Sequence, residues 1–124
     1  MPVVNRCAVA VSARKPMIDW TRPFWTREDT EGLGEEQSLY LLSTWDDERE
    51  IELRLQERWA EIFEAELELW SRDRQLWPPS RSYRMFLAWF ELRFFPLVED
   101  LSSEPLRCFE AQEGIETTIR EALG

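Results

Sequence analysis

The spacing of apolar residues changes along this chain, and each change marks an expected structural element. In residues 3–13 small and apolar residues alternate with a period of two, which predicts a β-strand ending before Pro16. Residues 38–44 form a second predicted strand, and because it is apolar on both faces we expect it to lie inside a sheet. A third strand is predicted over residues 92–97. It should lie at an edge or carry a bulge, because Pro96 has no N–H to donate.

Between these strands the period lengthens to that of an α-helix. Residues 46–70 form one long predicted helix that Thr44 can cap. Ser80 can cap a second helix, whose apolar residues recur at helical spacing and are Tyr83, Phe86, Leu87 and Phe90. Shorter helical segments are expected in residues 15–25, after Pro105 and after Gly114. The pattern predicts an α+β fold in one domain, residues 1–124, with a small, mainly antiparallel sheet of about three strands packed against the long helix and shorter helices.

The long predicted helix carries a broad apolar arc with one carboxylate inside it. At about 100° per residue, Glu66 lies in this arc between Leu55 and Trp59. The apolar members of the arc are Ile51, Leu55, Trp59, Ile62, Phe63, Leu67, Leu69 and Trp70. A buried ionised carboxylate is costly unless it is paired or hydrogen-bonded, so the position of Glu66 requires a partner or a ligand.

Two explanations for Glu66 stay open, and we favour the first. In the first, the carboxylate forms an ion pair with an arginine, for which the candidates are Arg6, Arg81, Arg84 and Arg93. In the second, Glu66 is a pocket carboxylate with a raised pKa that acts as an acid or base, or binds a cationic or hydroxylated ligand. The candidate ligand-binding residues are Glu66, Trp59, Trp70, Asp73, Trp20 and Arg93.

The opposite face of the long helix is acidic. It carries Glu57, Glu61, Glu64 and Glu68, which we expect to be solvated rather than to form a metal site. Arg58 precedes Glu61 by three residues, a spacing that predicts a weak ion pair on the helix surface.

Aromatic residues are abundant, with seven Trp and seven Phe. Tryptophan is rarely fully buried and is enriched at interfaces, so some of these side chains are as well suited to an interface or a pocket as to the core. The candidate interface residues are Phe24, Trp25, Trp77 and Trp89, and we expect a homodimer.

Composition excludes several classes of function. The formal charge of −10 argues against nucleic-acid binding, which requires a basic surface. The absence of histidine excludes Ser-His-Asp and Cys-His catalysis and histidine-ligated metals, and we expect no metal and no cofactor. Residues 85–98 are too short and too interrupted for a membrane span, which needs about 20 apolar residues. Cys7 and Cys108 are expected to be reduced and mostly buried thiols of a cytoplasmic protein.

Three sequence blocks, KPMIDW, WAEIFEAELELW and MFLAWF, resemble those of a family of short bacterial proteins of unknown function. The resemblance implies neither an activity nor a catalytic residue. The leading hypothesis is a non-catalytic interaction or accessory module that self-associates, with a protein or a small molecule as a further possible partner. The alternative is a small-molecule-binding domain, or a weak acid–base enzyme, with an aromatic pocket around Glu66.

Overall fold

Three antiparallel strands form the sheet, in a computed structural model that describes residues 3–24, 36–44 and 48–108. Strand β1 (Arg6–Ala13) lies in the centre, between β2 (Ser38–Ser43) and β3 (Phe90–Phe95). Both neighbours run antiparallel to β1, so the predicted α+β fold with a small antiparallel sheet is confirmed. The third strand was predicted to lie at an edge or to carry a bulge; among the described strands β3 lies at an edge, and Pro96 follows directly after it.

Three α-helices accompany the sheet in the described part of the chain. They are α1 (Lys15–Thr21), α2 (Glu48–Glu68) and α3 (Tyr83–Trp89), with a short 3-10 helix (Arg74–Leu76) between the last two. Helix α2 contains neither Gly nor Pro and is rich in Glu, Leu and Arg, which lose little side-chain freedom in a helix.

The first residue of α3 differs from the prediction. Ser82, rather than Ser80, is its N-cap, and the Ser82 hydroxyl accepts a hydrogen bond from the backbone N–H of Met85. The apolar spacing predicted the burial of Phe86, whereas Leu87 of the same predicted set is exposed, and either serine could have satisfied the first turn.

The core lies between the sheet and the helices. Cys7, Val9 and Val11, at alternate positions of β1, are fully buried on the face towards the helices. Phe63 of α2 is fully buried in this core, and its ring centroid lies 5.2 Å from that of Phe90 and 6.0 Å from that of Phe86. The same core cluster includes other members of the predicted arc, namely Leu55, Ile62 and Leu67.

Strand β2 does not lie inside the sheet, contrary to the prediction. Among the described strands it pairs with β1 alone and forms an edge. Its apolar residues divide between the two faces. Tyr40 and Leu42 pack towards the core, while Leu39 and Leu41 remain 63% and 46% exposed. The sequence pattern of an internal strand therefore occurs at an edge.

Several smaller expectations also change. Leu69 was predicted to lie in the apolar arc of the long helix, but it is 63% exposed because α2 ends at Glu68. Cys108 is exposed rather than buried, and Leu106 lies in irregular chain instead of a helix. The predicted helix start at 46–47 and the helical turn after Gly114 lie outside the described residues. No helix in the described ranges is long and apolar enough to cross a membrane.

Candidate functional site

Glu66 is buried, and its carboxylate is held by two hydroxyl groups of β2. Only 7% of the residue is exposed. The Tyr40 hydroxyl donates a hydrogen bond to Glu66 Oε2 over 2.7 Å, and the Ser38 hydroxyl donates to the same oxygen over 2.9 Å. Ser38 and Tyr40 are two residues apart on β2, so both side chains point to the side of the sheet on which α2 lies. The fold thereby supplies Glu66 with two donors from a neighbouring strand.

Burial and hydrogen bonding act in opposite directions on Glu66. Burial raises the pKa of its carboxyl group because the ionised form loses hydration, and the bonds from Tyr40 and Ser38 offset part of this rise. Burial also raises the pKa of the Tyr40 hydroxyl, and the adjacent Glu66 carboxylate raises it further. Tyr40 is therefore a permanent hydrogen-bond donor over the ordinary pH range.

No arginine of the described chain forms a salt bridge with Glu66, so the favoured ion pair is replaced by hydroxyl donors. Arg81 instead binds Glu64 over 3.0 Å. Arg6 donates to the backbone oxygen of Asn5, and the guanidinium of Arg93 lies 5.3 Å from the ring centroid of Phe95.

Arg93 and Glu66 lie on opposite faces of the sheet. Arg93 pairs with Ala10, which alternates with the core-facing Val9 and Val11. Its side chain therefore points away from α2, and this member of the predicted ligand-binding set is separated from Glu66.

Three further members of the predicted pocket, Trp59, Trp20 and Asp73, make contacts elsewhere. Trp59 packs beside Tyr83 and Phe86, with ring centroids 6.5 and 6.4 Å apart, on the side of α2 that faces α3. The indole N–H of Trp20 donates to the backbone oxygen of Leu76. Trp70 is partly buried against the core, and Asp73 caps the 3-10 helix through Gln75 N. The contacts of Trp59, Trp20 and Asp73 do not gather these three residues around Glu66.

The predicted interface residues are also spread over different environments. Trp77 is 5% exposed, and its indole N–H donates to the backbone oxygen of Ser71, so it belongs to the core rather than to an interface. Trp89 packs against Phe63 at 5.5 Å, and Phe24 packs against Trp20 at 4.9 Å. Trp25 lies outside the described residues.

A groove of about 580 Å³ lies between β2 and α2, next to the Glu66 hydrogen bonds. Tyr40 lines this groove and also binds Glu66, so the buried carboxylate fixes one part of the groove wall. Three arginines line it as well: Arg6, Arg54 and Arg58. In the described residues no group of three or more cysteine or carboxylate side chains could hold a metal ion.

Sequence reasoning missed Ser38, Tyr40 and the groove. The predicted protein partners of Glu66 were all arginines, whereas two neutral hydroxyl groups bind the carboxylate. The signal was present in the strand itself, since Ser38 and Tyr40 share one face of β2. What the sequence could not show was that this face would lie beside Glu66.

Comparison with known protein families, with curated proteins and with solved structures finds no match to this chain. The resemblance to short bacterial proteins therefore stays a prediction.

Proposed function

We propose that this chain is a non-catalytic interaction module that self-associates through the edge of β2. One observation carries the proposal: a strand with the composition of an internal strand lies at an edge of the sheet formed by the described strands, where Leu39 and Leu41 are largely exposed. An edge strand presents unpaired backbone N–H and C=O groups that can pair with another chain.

The sequence of β2 lacks the features that protect strand edges. Proline and charged side chains, lysine above all, usually block edge-to-edge pairing, and Ser38–Ser43 contains neither. Pairing with a further strand would give β2 neighbours on both sides, the environment that its apolar pattern predicts. The other described edge differs, because β3 contains Glu91 and Arg93 and is followed by Pro96.

A second copy of this chain is the occupant that fits this edge. An antiparallel β2–β2 pair centred on Tyr40 would set Leu39 opposite the second copy's Leu41, and Leu41 opposite its Leu39. Side chains directly opposite each other point to the same face, so the four leucines would form one apolar cluster. The strand itself carries no charge, so pairing of the two strands sets no like charges directly opposite each other.

The test compares two leucines of equal exposure. Leu39 and Leu69 are each 63% exposed, but only Leu39 lies on β2. By sedimentation velocity at micromolar concentrations we expect a dimer for the wild type and for Leu69→Lys, and a monomer for Leu39→Lys. A monomeric wild type would refute the proposal. So would a dimer that Leu69→Lys disrupts and Leu39→Lys does not.

The proposal places the protein in the cytoplasm as an accessory factor. Cys7 and Cys108 are both free, and Cys108 is exposed, which suits a reducing compartment. Formation of an intermolecular Cys108 disulfide as the native state would contradict this placement.

The alternative, a ligand pocket or weak acid–base site at Glu66, is favoured by the raised pKa of that carboxyl group. Against it, both hydroxyls already bind Oε2, so the burial of Glu66 does not require a ligand. Screening of metabolites by tryptophan fluorescence tests the alternative. If Glu66→Gln leaves the affinity of every bound compound unchanged, the Glu66 pocket is excluded.

A further inference from the structure

The groove between β2 and α2 is positively charged on a protein whose net charge is −10. Arg6, Arg54 and Arg58 line it, together with Glu57 and Glu61, so the lining has a formal charge of +1. A local reversal of charge of this kind attracts an anion in preference to the cations that the rest of the surface favours.

The three arginines differ in how fully their donors are used. Arg58 is engaged, because its guanidinium binds Glu61 over 2.7 Å. Arg54 lies 3.5 Å from Glu57, and its Nε is buried without a hydrogen-bond partner in the described residues. A buried N–H without an acceptor is costly, so Arg54 gains from any acceptor towards which it can reorient.

Arg6 supplies the second set of unused donors. Among the described residues, the Arg6 guanidinium donates one hydrogen bond, to the backbone oxygen of the neighbouring Asn5 over 2.9 Å. No described carboxylate forms a salt bridge with Arg6. Arg6 is at the start of β1, opposite Ser43 of β2, whereas Arg54 belongs to α2. Two arginines from different elements therefore line one groove and have donors to spare among the described residues. Guanidinium groups bind carboxylates through paired N–H donors.

We propose that this groove binds a small organic monocarboxylate with an apolar aryl or alkyl group. The carboxylate would lie between Arg6 and Arg54, and the apolar group would contact Leu42, Ile62 and Ala65, which line the same groove. Glu57 and Glu61 select against a dianion such as phosphate, because a second negative charge would meet these carboxylates. The groove and the proposed β2 interface share Leu41, so benzoate binding and self-association are measured in separate experiments.

The experiment titrates benzoate into ¹⁵N-labelled protein and follows backbone chemical shifts. We expect shifts in Ser43, Arg54 and Ile62, and affinity at least about tenfold weaker for neutral benzamide and for inorganic phosphate. Arg6→Gln and Arg54→Gln should each weaken benzoate binding by about tenfold or more, since each removes a charge-assisted hydrogen bond.

The matched control is Arg84→Gln, which removes an exposed arginine from α3 and should leave benzoate affinity unchanged. Because Arg6 is exposed and outside the core, Arg6→Gln remains informative even if Arg54→Gln fails to fold. Absence of benzoate binding up to millimolar concentration would overturn the proposal. Equal weakening by Arg6→Gln and Arg84→Gln, or equal affinity for benzoate and benzamide, would overturn it too.

Discussion

Removal of the Tyr40 hydroxyl tests how Glu66 is tolerated in the core. Tyr40→Phe keeps the aromatic ring and deletes the shorter of the two hydrogen bonds to Glu66 Oε2. Only the Ser38 hydroxyl would then remain to bind this oxygen among the described residues. A buried carboxylate with one donor fewer is less stable in its ionised form, so the variant should unfold more easily at neutral pH.

The expected loss follows from the charge of the acceptor. A hydrogen bond to a charged group contributes about 1.5–3 kcal/mol to the free energy of unfolding, against about 0.5–1.5 kcal/mol for a neutral pair. Tyr40→Phe should therefore cost about 1.5–3 kcal/mol in the wild type and about 1 kcal/mol in a Glu66→Gln background. The difference is the coupling energy of a double-mutant cycle.

The loss should depend on pH in a defined direction. The Tyr40 bond lowers the pKa of Glu66 relative to the variant without it, so its charge-assisted part is present at high pH. That part is lost as the pH falls through the Glu66 pKa, which burial holds above the ordinary value of 4.5. At acid pH the stability lost in Tyr40→Phe should therefore decrease towards the value expected for a hydrogen bond between uncharged groups.

Urea denaturation, followed by tryptophan fluorescence at neutral pH and below pH 4.5, measures these quantities. Tyr83→Phe is the matched control, because the Tyr83 hydroxyl has no hydrogen bond within the described residues. If Tyr40→Phe costs no more than Tyr83→Phe at neutral pH, Tyr40 does not stabilise the Glu66 carboxylate. If the stability lost in Tyr40→Phe increases at acid pH, the predicted direction of the pH dependence is wrong.

Three further experiments test the fold. Phe63→Ala should lower the free energy of unfolding by about 3–5 kcal/mol in urea, because it opens a cavity at the centre of the aromatic core; a loss below about 1 kcal/mol would place this ring outside the core. Ser82→Ala should cost about 1 kcal/mol and Ser80→Ala almost nothing in the same assay, because Ser82 caps α3; the reverse order would restore Ser80 as the cap. Iodoacetamide should alkylate Cys108 in the native protein and Cys7 only after unfolding, because Cys7 is buried and burial raises the pKa of its thiol. Mass spectrometry measures the alkylation of each cysteine, and faster alkylation of Cys7 than of Cys108 in the native protein would contradict this prediction.

The burial of Glu66 could be predicted from the sequence, but its hydrogen-bond partners could not. Helical spacing alone placed this residue on the apolar face of α2, and the structure confirms that it is buried. The partner could not be predicted in the same way, because spacing along one helix carries no information about which strand lies beside it. The predicted arginines lie elsewhere, and Ser38 and Tyr40 donate instead.

The aromatic residues illustrate the same limit. Composition indicated an aromatic core, but it did not separate the buried Trp77 from the half-buried Trp59 and Trp20. Their environments depend on indole N–H partners and on neighbouring rings, which come from distant parts of the chain. The predicted pocket of tryptophans around Glu66 required these side chains to converge, whereas Trp59 contacts Tyr83 and Phe86 and Trp20 binds the backbone of Leu76.

The sequence by itself determined the α+β class, the buried side of the long helix and the inward position of Glu66. These depend on periodicity, and periodicity acts between residues a few positions apart. The tertiary structure alone decided that β2 lies at an edge, that two hydroxyls bind Glu66, and that three arginines share a groove in an acidic protein. Strand order and groove lining depend on contacts between residues far apart in the chain, and no local pattern encodes them.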